Sequence, residues 1–148
     1  MVFYGEYTVA FTNGGRLVLP KKLRELVKGN EFVLTKGFDT CLAGYDKEDW
    51  EDRSKEFVSR SLIDTENLPV RRMLFSGAVY VELDEQGRFV LPKQLLDFSE
   101  LSNKAIIVGV GDHFEIWSQE RWTEYEKKAQ AKSKLRPKVW NHRLRYSF

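Results

Sequence analysis

With 148 residues, 24 Lys and Arg against 22 Asp and Glu, and 42% apolar side chains, the chain has room for one ordinary domain or two small ones that share a core. Its single cysteine, Cys41, excludes an internal disulfide and reads as a small buried residue, and no apolar run approaches the ~20 residues needed to span a bilayer. The formal charge of +2 conceals a split: residues 127–148 hold eight basic and no acidic side chains, which leaves 16 basic and 22 acidic residues in the first 126, so a polyanion must bind through a local patch or through the tail.

The opening Met1-Val2-Phe3-Tyr4-Gly5-Glu6 has no basic segment backed by an apolar stretch, and a cytoplasmic protein is expected. Tyr7-Thr8-Val9-Ala10-Phe11 alternates as a strand does. Asn13-Gly14-Gly15 is a turn, and Arg16-Leu17-Val18-Leu19 a second short strand. Pro20 stops that strand and can open a helix over Lys21 to Lys28, ended by Gly29-Asn30. Glu31 to Thr35 and Cys41 to Tyr45 read as two further strands. Asp46 suits the N-cap of a charged helix containing Trp50, Phe57 and Val58, which ends near Ser59. Residues 60–76 read as a linker, with a helical turn or two over Val70 to Phe75. From residue 77 the order returns: strands Val79 to Leu83 and Arg88 to Leu91, a helix opened by Pro92, strands Ala105 to Val108 and Phe114 to Trp117, and a helix capped by Ser118 that carries Trp122 and Tyr125 to about residue 130. Residues 131–148 form a basic, aromatic tail.

The second half is a copy of the first. Gly15-Arg16-Leu17-Val18-Leu19-Pro20-Lys21 recurs 72 positions on as Gly87-Arg88-Phe89-Val90-Leu91-Pro92-Lys93. The offset continues without a gap through Gly5 and Gly77, Val9 and Val81, Leu23 and Leu95, Gly37 and Gly109, and Trp50 and Trp122. The organisation is therefore residues 1–59 as repeat 1, 60–76 as linker, 77–130 as repeat 2 and 131–148 as tail. Each repeat is β-β-α-β-β with a trailing helix, an α+β unit dominated by strands. Four short strands and one small helix cannot close a core alone, whereas two such units can, as an interleaved barrel or sandwich with pseudo-two-fold symmetry.

The repeated element presents an arginine and no catalytic set. Arg16 and Arg88 each follow a glycine, Gly15 or Gly87, directly. A guanidinium beside a hairpin tip suits bidentate contact with phosphate or with guanine edges in a major groove. The competing reading is a structural pair, because Asp84 stands four residues before Arg88 and can cap the turn and hold the guanidinium. Thr12 occupies the matching place before Arg16 and offers only a hydroxyl. Lys21 and Lys93 follow the two prolines and can meet a phosphate or remain solvated. Arg24 is faced by Leu96 in repeat 2 and so is not a repeated contact. His113 and His142 share no matched context, and neither metal-ligand spacing nor a phosphate-binding glycine loop or nucleophile motif occurs, so an enzyme, a cofactor or a small-molecule substrate is not expected. Trp50 and Trp122 read as core anchors in preference to stacking platforms.

Gly5-Glu6-Tyr7, both Gly-Arg-x-x-x-Pro blocks, Phe75-Ser76-Gly77-Ala78, and Val108-Gly109-Val110-Gly111 followed by Glu115-Ile116-Trp117 together resemble the MraZ family, built from two tandem AbrB-like modules. The resemblance covers roughly residues 1–130. It implies a swapped-hairpin β-barrel, a ring-shaped homo-oligomer such as an octamer or dodecamer, and binding to double-stranded DNA upstream of the bacterial division and cell-wall gene cluster. The protein would then be nucleoid-associated, with no membrane partner, and act as a repressor through short direct DNA repeats. The family's Asp-x-x-x-Arg signature maps onto Asp84 and Arg88; in repeat 1 it fails at Thr12. With the resemblance, Arg16 and Arg88 are assigned as DNA contacts and Lys21 and Lys93 as candidate phosphate contacts, with Thr12, Gly15, Asp84 and Gly87 supporting the turns. Two other readings stay open: an AbrB-like antitoxin that binds a toxin through the C-terminal tail, and a ring scaffold that binds no DNA. For the tail itself a DNA-tracking arm, a peptide docking on a neighbouring acidic body, and a plain basic extension are all open.

Overall fold

Short alternating segments punctuated by glycine and proline become, among the described residues, eight strands and five helices. The computed structural model describes residues 2–60 and 65–135. In chain order the elements are β1 (Glu6–Ala10), β2 (Arg16–Val18), α1 (Lys21–Arg24), β3 (Glu31–Lys36), β4 (Leu42–Asp46), α2 (Lys47–Arg60), α3 (Leu68–Ser76), β5 (Val79–Glu82), β6 (Arg88–Val90), α4 (Lys93–Ser99), β7 (Lys104–Gly109), β8 (Phe114–Ser118) and α5 (Gln119–Leu135). Two compact units result: Met1–Ser118, which contains every strand, and a second unit whose described part is α5. Within α5, Trp122 stacks on Tyr125 with ring centroids 6.0 Å apart. The basic aromatic segment from Arg136 to Phe148 lies outside the described residues.

All strand pairings are antiparallel, and the fold is mixed α+β. Six strands form one sheet in the order β1-β7-β8-β4-β3-β5, and β2 and β6 form a separate two-stranded ribbon. The first strand of each repeat pairs with the other repeat: β1 with β7, and β5 with β3. The ribbon and the β4–β8 pair also join the two repeats. The hydrogen-bonded ladder is not a closed barrel. β1 and β5 end the large sheet, and the three-residue ribbon strands stop before Leu19-Pro20 and Leu91-Pro92. Proline has no N–H to continue a ladder.

The register corrects the gap-free repeat. Phe32 pairs with Asp46 and Ala105 with Ser118. Asp46 and Ser118 are 72 apart, but Phe32 and Ala105 are 73 apart. One extra residue before β7 is offset by one fewer between β7 and β8, where four residues connect the strands against five between β3 and β4. Gly109 therefore corresponds in the sheet to Lys36, not to Gly37.

The core lies between the large sheet and the ribbon. Phe32 meets Phe89 edge-on at 5.2 Å and Phe114 at 5.5 Å, and Leu17, Leu19, Leu23, Leu34, Leu95 and Ile107 fill the space around them. Each such side chain contributes on the order of 1.5–3 kcal/mol when fully buried. Gly44 pairs with Phe114, and its missing side chain makes room for the ring: a Cβ there would come within 2.2 Å of Phe114 Cζ.

The opposite side of β3 carries α2 and α3. Asp46 caps α2 as expected; its Oδ1 accepts the Lys28 N–H at 2.8 Å and its Oδ2 the Asp49 N–H at 3.4 Å. Trp50 is a core anchor, buried against Tyr45 and Phe75 at 5.3 and 5.7 Å. Within the expected linker, α3 is a nine-residue helix with Pro69 in its first turn, and the buried Thr35 hydroxyl donates to the Leu74 carbonyl. The helix expected over Lys21 to Lys28 is α-helical only to Arg24. Beyond it the Leu26 and Val27 N–H groups reach three residues back, to Leu23 and Arg24, and Gly29 ends the turn at φ +70°. Cys41 is fully buried, its thiol donates to the Phe38 carbonyl at 3.0 Å, and burial pushes its pKa upward.

Candidate functional site

The ribbon places the two repeated arginines side by side. Arg16 pairs with Val90, Leu17 with Phe89 and Val18 with Arg88. Successive residues of a strand point to opposite faces. Leu17 and Phe89 are buried below, so Arg16, Val18, Arg88 and Val90 share the outer face. Val90 is 53% exposed although apolar. The arginines are diagonal neighbours across the ribbon, a relation that sets backbone positions about 7–8 Å apart. Lys21 and Lys93 are exposed three residues beyond the ribbon strands. Because the strands are antiparallel, each lysine lies at the end where the other repeat's turn sits.

The two turns share their closing hydrogen bonds but differ in backbone and support: Gly14 is left-handed at φ +83°, and its counterpart Gln86 is not. Thr12 and Asp84 each donate an N–H to the arginine carbonyl four residues on, at 2.8 and 2.9 Å. Gly15 and Gly87 each donate back to the carbonyl of Thr12 and Asp84, at 3.2 and 2.9 Å. Both glycines are left-handed, at φ +70° and +76°, which a side chain would strain. Asp84 then adds three bonds. Its Oδ1 accepts the Gln86 and Arg88 N–H groups at 2.9 and 2.8 Å, and its Oδ2 accepts Arg88 Nε at 2.8 Å. The Arg88 backbone N–H, then the guanidinium and the Gln86 N–H, hold the Asp84 carboxyl below the usual carboxylate range, together outweighing the desolvation that would raise it. The carboxylate binds the guanidinium at Nε, and the Nη donors remain for other acceptors. Thr12 instead donates its hydroxyl to the Arg16 carbonyl at 3.2 Å, and among the described residues no carboxylate pairs with Arg16. Arg16 is exposed and Arg88 half-buried.

Sequence reasoning set Arg24 aside because Leu96 replaces it in repeat 2, yet the structure brings it to the same place. Its side chain lies over Gly87, where an added Cβ would come within 2.2 Å of Nη1 and 2.5 Å of Cδ. The Leu19 N–H also binds the Gly87 carbonyl at 2.9 Å. Over Gly15 there is open space within 4 Å. No local pattern at Arg24 announces this contact, since it depends on the cross-repeat register.

A second titratable cluster ties α2 to the β7–β8 turn. His113 stacks on Tyr45 at 4.9 Å, with Nδ1 2.7 Å from Asp112 and Nε2 3.4 Å from Glu115. Arg53 binds both Asp49 and Asp112 at 2.9 Å. Burial disfavours charge on His113, but the Glu115 and Asp112 carboxylates outweigh it and raise the imidazole pKa.

The family model described as "MraZ protein, putative antitoxin-like" matches residues 2–72 and 74–138. Three relatives that carry the name "Transcriptional regulator MraZ" are similar over most of their length. One from Roseiflexus castenholzii (strain DSM 13941 / HLO8) is 40% identical over 121 residues, 82% of this chain and 84% of the relative. One from Syntrophomonas wolfei subsp. wolfei (strain DSM 2245B / Goettingen) is 39% identical over 130 residues, 88% of this chain and 90% of the relative. One from Lactiplantibacillus plantarum (strain ATCC BAA-793 / NCIMB 8826 / WCFS1) is 38% identical over 125 residues, 84% and 88% respectively.

Proposed function

This chain belongs to the MraZ family, and on that footing we propose that it is a DNA-binding transcriptional regulator whose β2–β6 ribbon enters the major groove. Its relatives bear the names of regulators, not of enzymes, and it is not an enzyme. The observation that carries the reading is the shared outer face of the ribbon, with Arg16 and Arg88 diagonal above a buried Leu17–Phe89 pair. A two-stranded ribbon fits the ~12 Å width of the groove, and each bidentate arginine–guanine contact contributes about 1–3 kcal/mol of discrimination. Lys21 and Lys93 flank the ribbon as phosphate contacts, and Thr12, Gly15, Asp84 and Gly87 shape the two tips.

The finer reading follows the same line. Residues 1–59 and 77–130 act as two AbrB-like modules whose exchanged hairpins make the ribbon the cover of a swapped-hairpin barrel. Homo-oligomeric rings, octamers or dodecamers, engage several short direct repeats and repress the division and cell-wall gene cluster at the nucleoid in the cytoplasm. Two arginines per chain bind weakly, and a ring multiplies them through effective concentration.

Arg88→Ala tests the assignment. The variant is expected to stay folded by circular dichroism and to lose tenfold or more in DNA affinity in a mobility-shift titration, in line with about 1–3 kcal/mol for a bidentate base contact. Unchanged binding sinks the assignment. Sequencing of co-purified DNA separates the regulator, which enriches short direct repeats, from a toxin-binding protein, which carries a stoichiometric small partner.

A further inference from the structure

We infer that Asn13 is a self-modifying residue: in water, and with no enzyme, its carboxamide closes onto the Gly14 nitrogen and is replaced by a carboxylate at the tip of the ribbon. Asn13–Gly14 is the only Asn–Gly pair in the sequence, and both residues are exposed. Asn30, Asn67, Asn103 and Asn141 are followed by Glu31, Leu68, Lys104 and His142, whose side chains hinder attack by the following nitrogen. A Cβ built on Gly14 would meet nothing within 4 Å, and a second glycine follows, so the backbone is free to swing its nitrogen towards the carboxamide. The matching turn shows what holds that nitrogen elsewhere. Gln86 is the counterpart of Gly14, and its N–H is held by Asp84 Oδ1 at 2.9 Å. Thr12 stands in the place of Asp84, and its hydroxyl donates to the Arg16 carbonyl instead. Among the described residues the Gly14 N–H has no acceptor.

An amide nitrogen bound to a carboxylate resists both deprotonation and displacement, so the change from Asp to Thr frees the nucleophile that Asn13 needs. The deprotonated Gly14 nitrogen bonds to Asn13 Cγ, and the carboxamide nitrogen leaves as ammonia. Water then opens the cyclic imide at one of its two carbonyls; no oxidant or reductant is needed. Cleavage from Cγ gives aspartate, and the tip then carries a carboxylate where turn 2 carries Glu85. Cleavage from the main-chain carbonyl gives isoaspartate, in which the chain runs through the side chain and gains a methylene. That extra atom falls between Thr12 and Gly15, the span closed by the Gly15 N–H on the Thr12 carbonyl at 3.2 Å. Either product sets a negative charge near Arg16, for which no carboxylate partner is recorded among the described residues. Gln86 in turn 2 would have to close a larger ring and reacts far more slowly. The two tips therefore age differently, and the effect on DNA affinity rests on the DNA-binding reading above.

The test incubates the full chain in mildly alkaline buffer over days and follows tryptic peptides by mass spectrometry. The peptide of residues 1–16 contains Asn13 and no other amide side chain, so its conversion is read directly. It is expected to gain the mass of water less that of ammonia, well before the peptides that carry Asn30, Asn67 and Asn103, a comparison that needs no variant. Thr12→Asp, which restores the acceptor for the Gly14 N–H, is expected to slow conversion severalfold. Asn13 remaining intact, or converting no faster than the other asparagines, overturns the site; a folded Thr12→Asp that converts at the wild-type rate overturns the freed nitrogen as its cause. Aged wild type is then titrated in a mobility-shift assay, on duplexes recovered with the fresh protein, against equally aged Asn13→Gln. An affinity lower by about tenfold is expected, as for the loss of one base contact. Conversion with equal affinities overturns the effect on DNA. If the fresh protein binds no duplex, the DNA-binding reading fails, while the site itself still stands or falls on the peptide masses.

Discussion

Asp84 and Thr12 fill the same place in two copies of one turn, and the bonds they make differ in kind. The carboxylate accepts three N–H groups, while the hydroxyl gives a single bond to a carbonyl. Because Asp84 is held below the ordinary carboxylate pKa, its contribution is present above the unfolded value of about 4 and is lost only as pH falls through the lower folded value. Turn 2 thus keeps its pair throughout the neutral range. The glycines separate strain from contact. Gly15→Ala places a Cβ in a left-handed residue facing open space, a cost of about 1–2 kcal/mol. Gly87→Ala meets the same strain and must also displace Arg24, with a further cost of about 1–3 kcal/mol for overpacking. Urea denaturation is expected to rank Gly87→Ala as clearly the more destabilising. Equal costs would mean that the Arg24 contact has no energetic weight.

The strands were legible because each is short, alternating and closed by Gly or Pro, and all eight fall within a residue or two of expectation. The candidate site was half legible. Gly-Arg in two copies identifies Arg16 and Arg88, but nothing local in the sequence says that Leu17 will lie opposite Phe89 and so bring both arginines to one face. The compensating shift around β7 was hidden because two opposite one-residue changes restore the offset before Phe114. The helix α3 was read short because it depends on tertiary contacts, the Phe75 ring against Trp50 and the Thr35 hydroxyl on the Leu74 carbonyl, more than on its own pattern. The link between α2 and the β7–β8 turn also responds to pH. With the His113 pKa raised, the protonated form stabilises the fold fully below the unfolded value of about 6.5, and that stabilisation is lost as pH rises through the folded value. Thermal melts at about pH 6 and about pH 8.5 are expected to show lower stability at the higher pH, and His113→Gln to flatten the difference. A wild-type profile that is flat or rises with pH contradicts this.

At the scale of the whole molecule, every pairing that begins a repeat is made with the other repeat, so stability belongs to the pair. Fragments divided within residues 61–67 are expected to be unfolded separately and to recover a cooperative melt on mixing. A cooperative melt from either fragment alone, as monomer or dimer, refutes this. The reason reaches back to Gly44 beneath the Phe114 ring. If repeat 1 met a second copy of itself in the same register, Leu42 would stand where Phe114 does, and Gly44 would face a hole that costs roughly 24 cal/mol for each cubic ångström. Ala105 likewise answers Phe32 across the pseudo-axis, small against large. Duplication made the halves alike, and divergence in the core has made them hetero-specific. When many copies gather, as on a polysome, each repeat is thereby directed to a repeat of the other kind instead of to a second copy of itself.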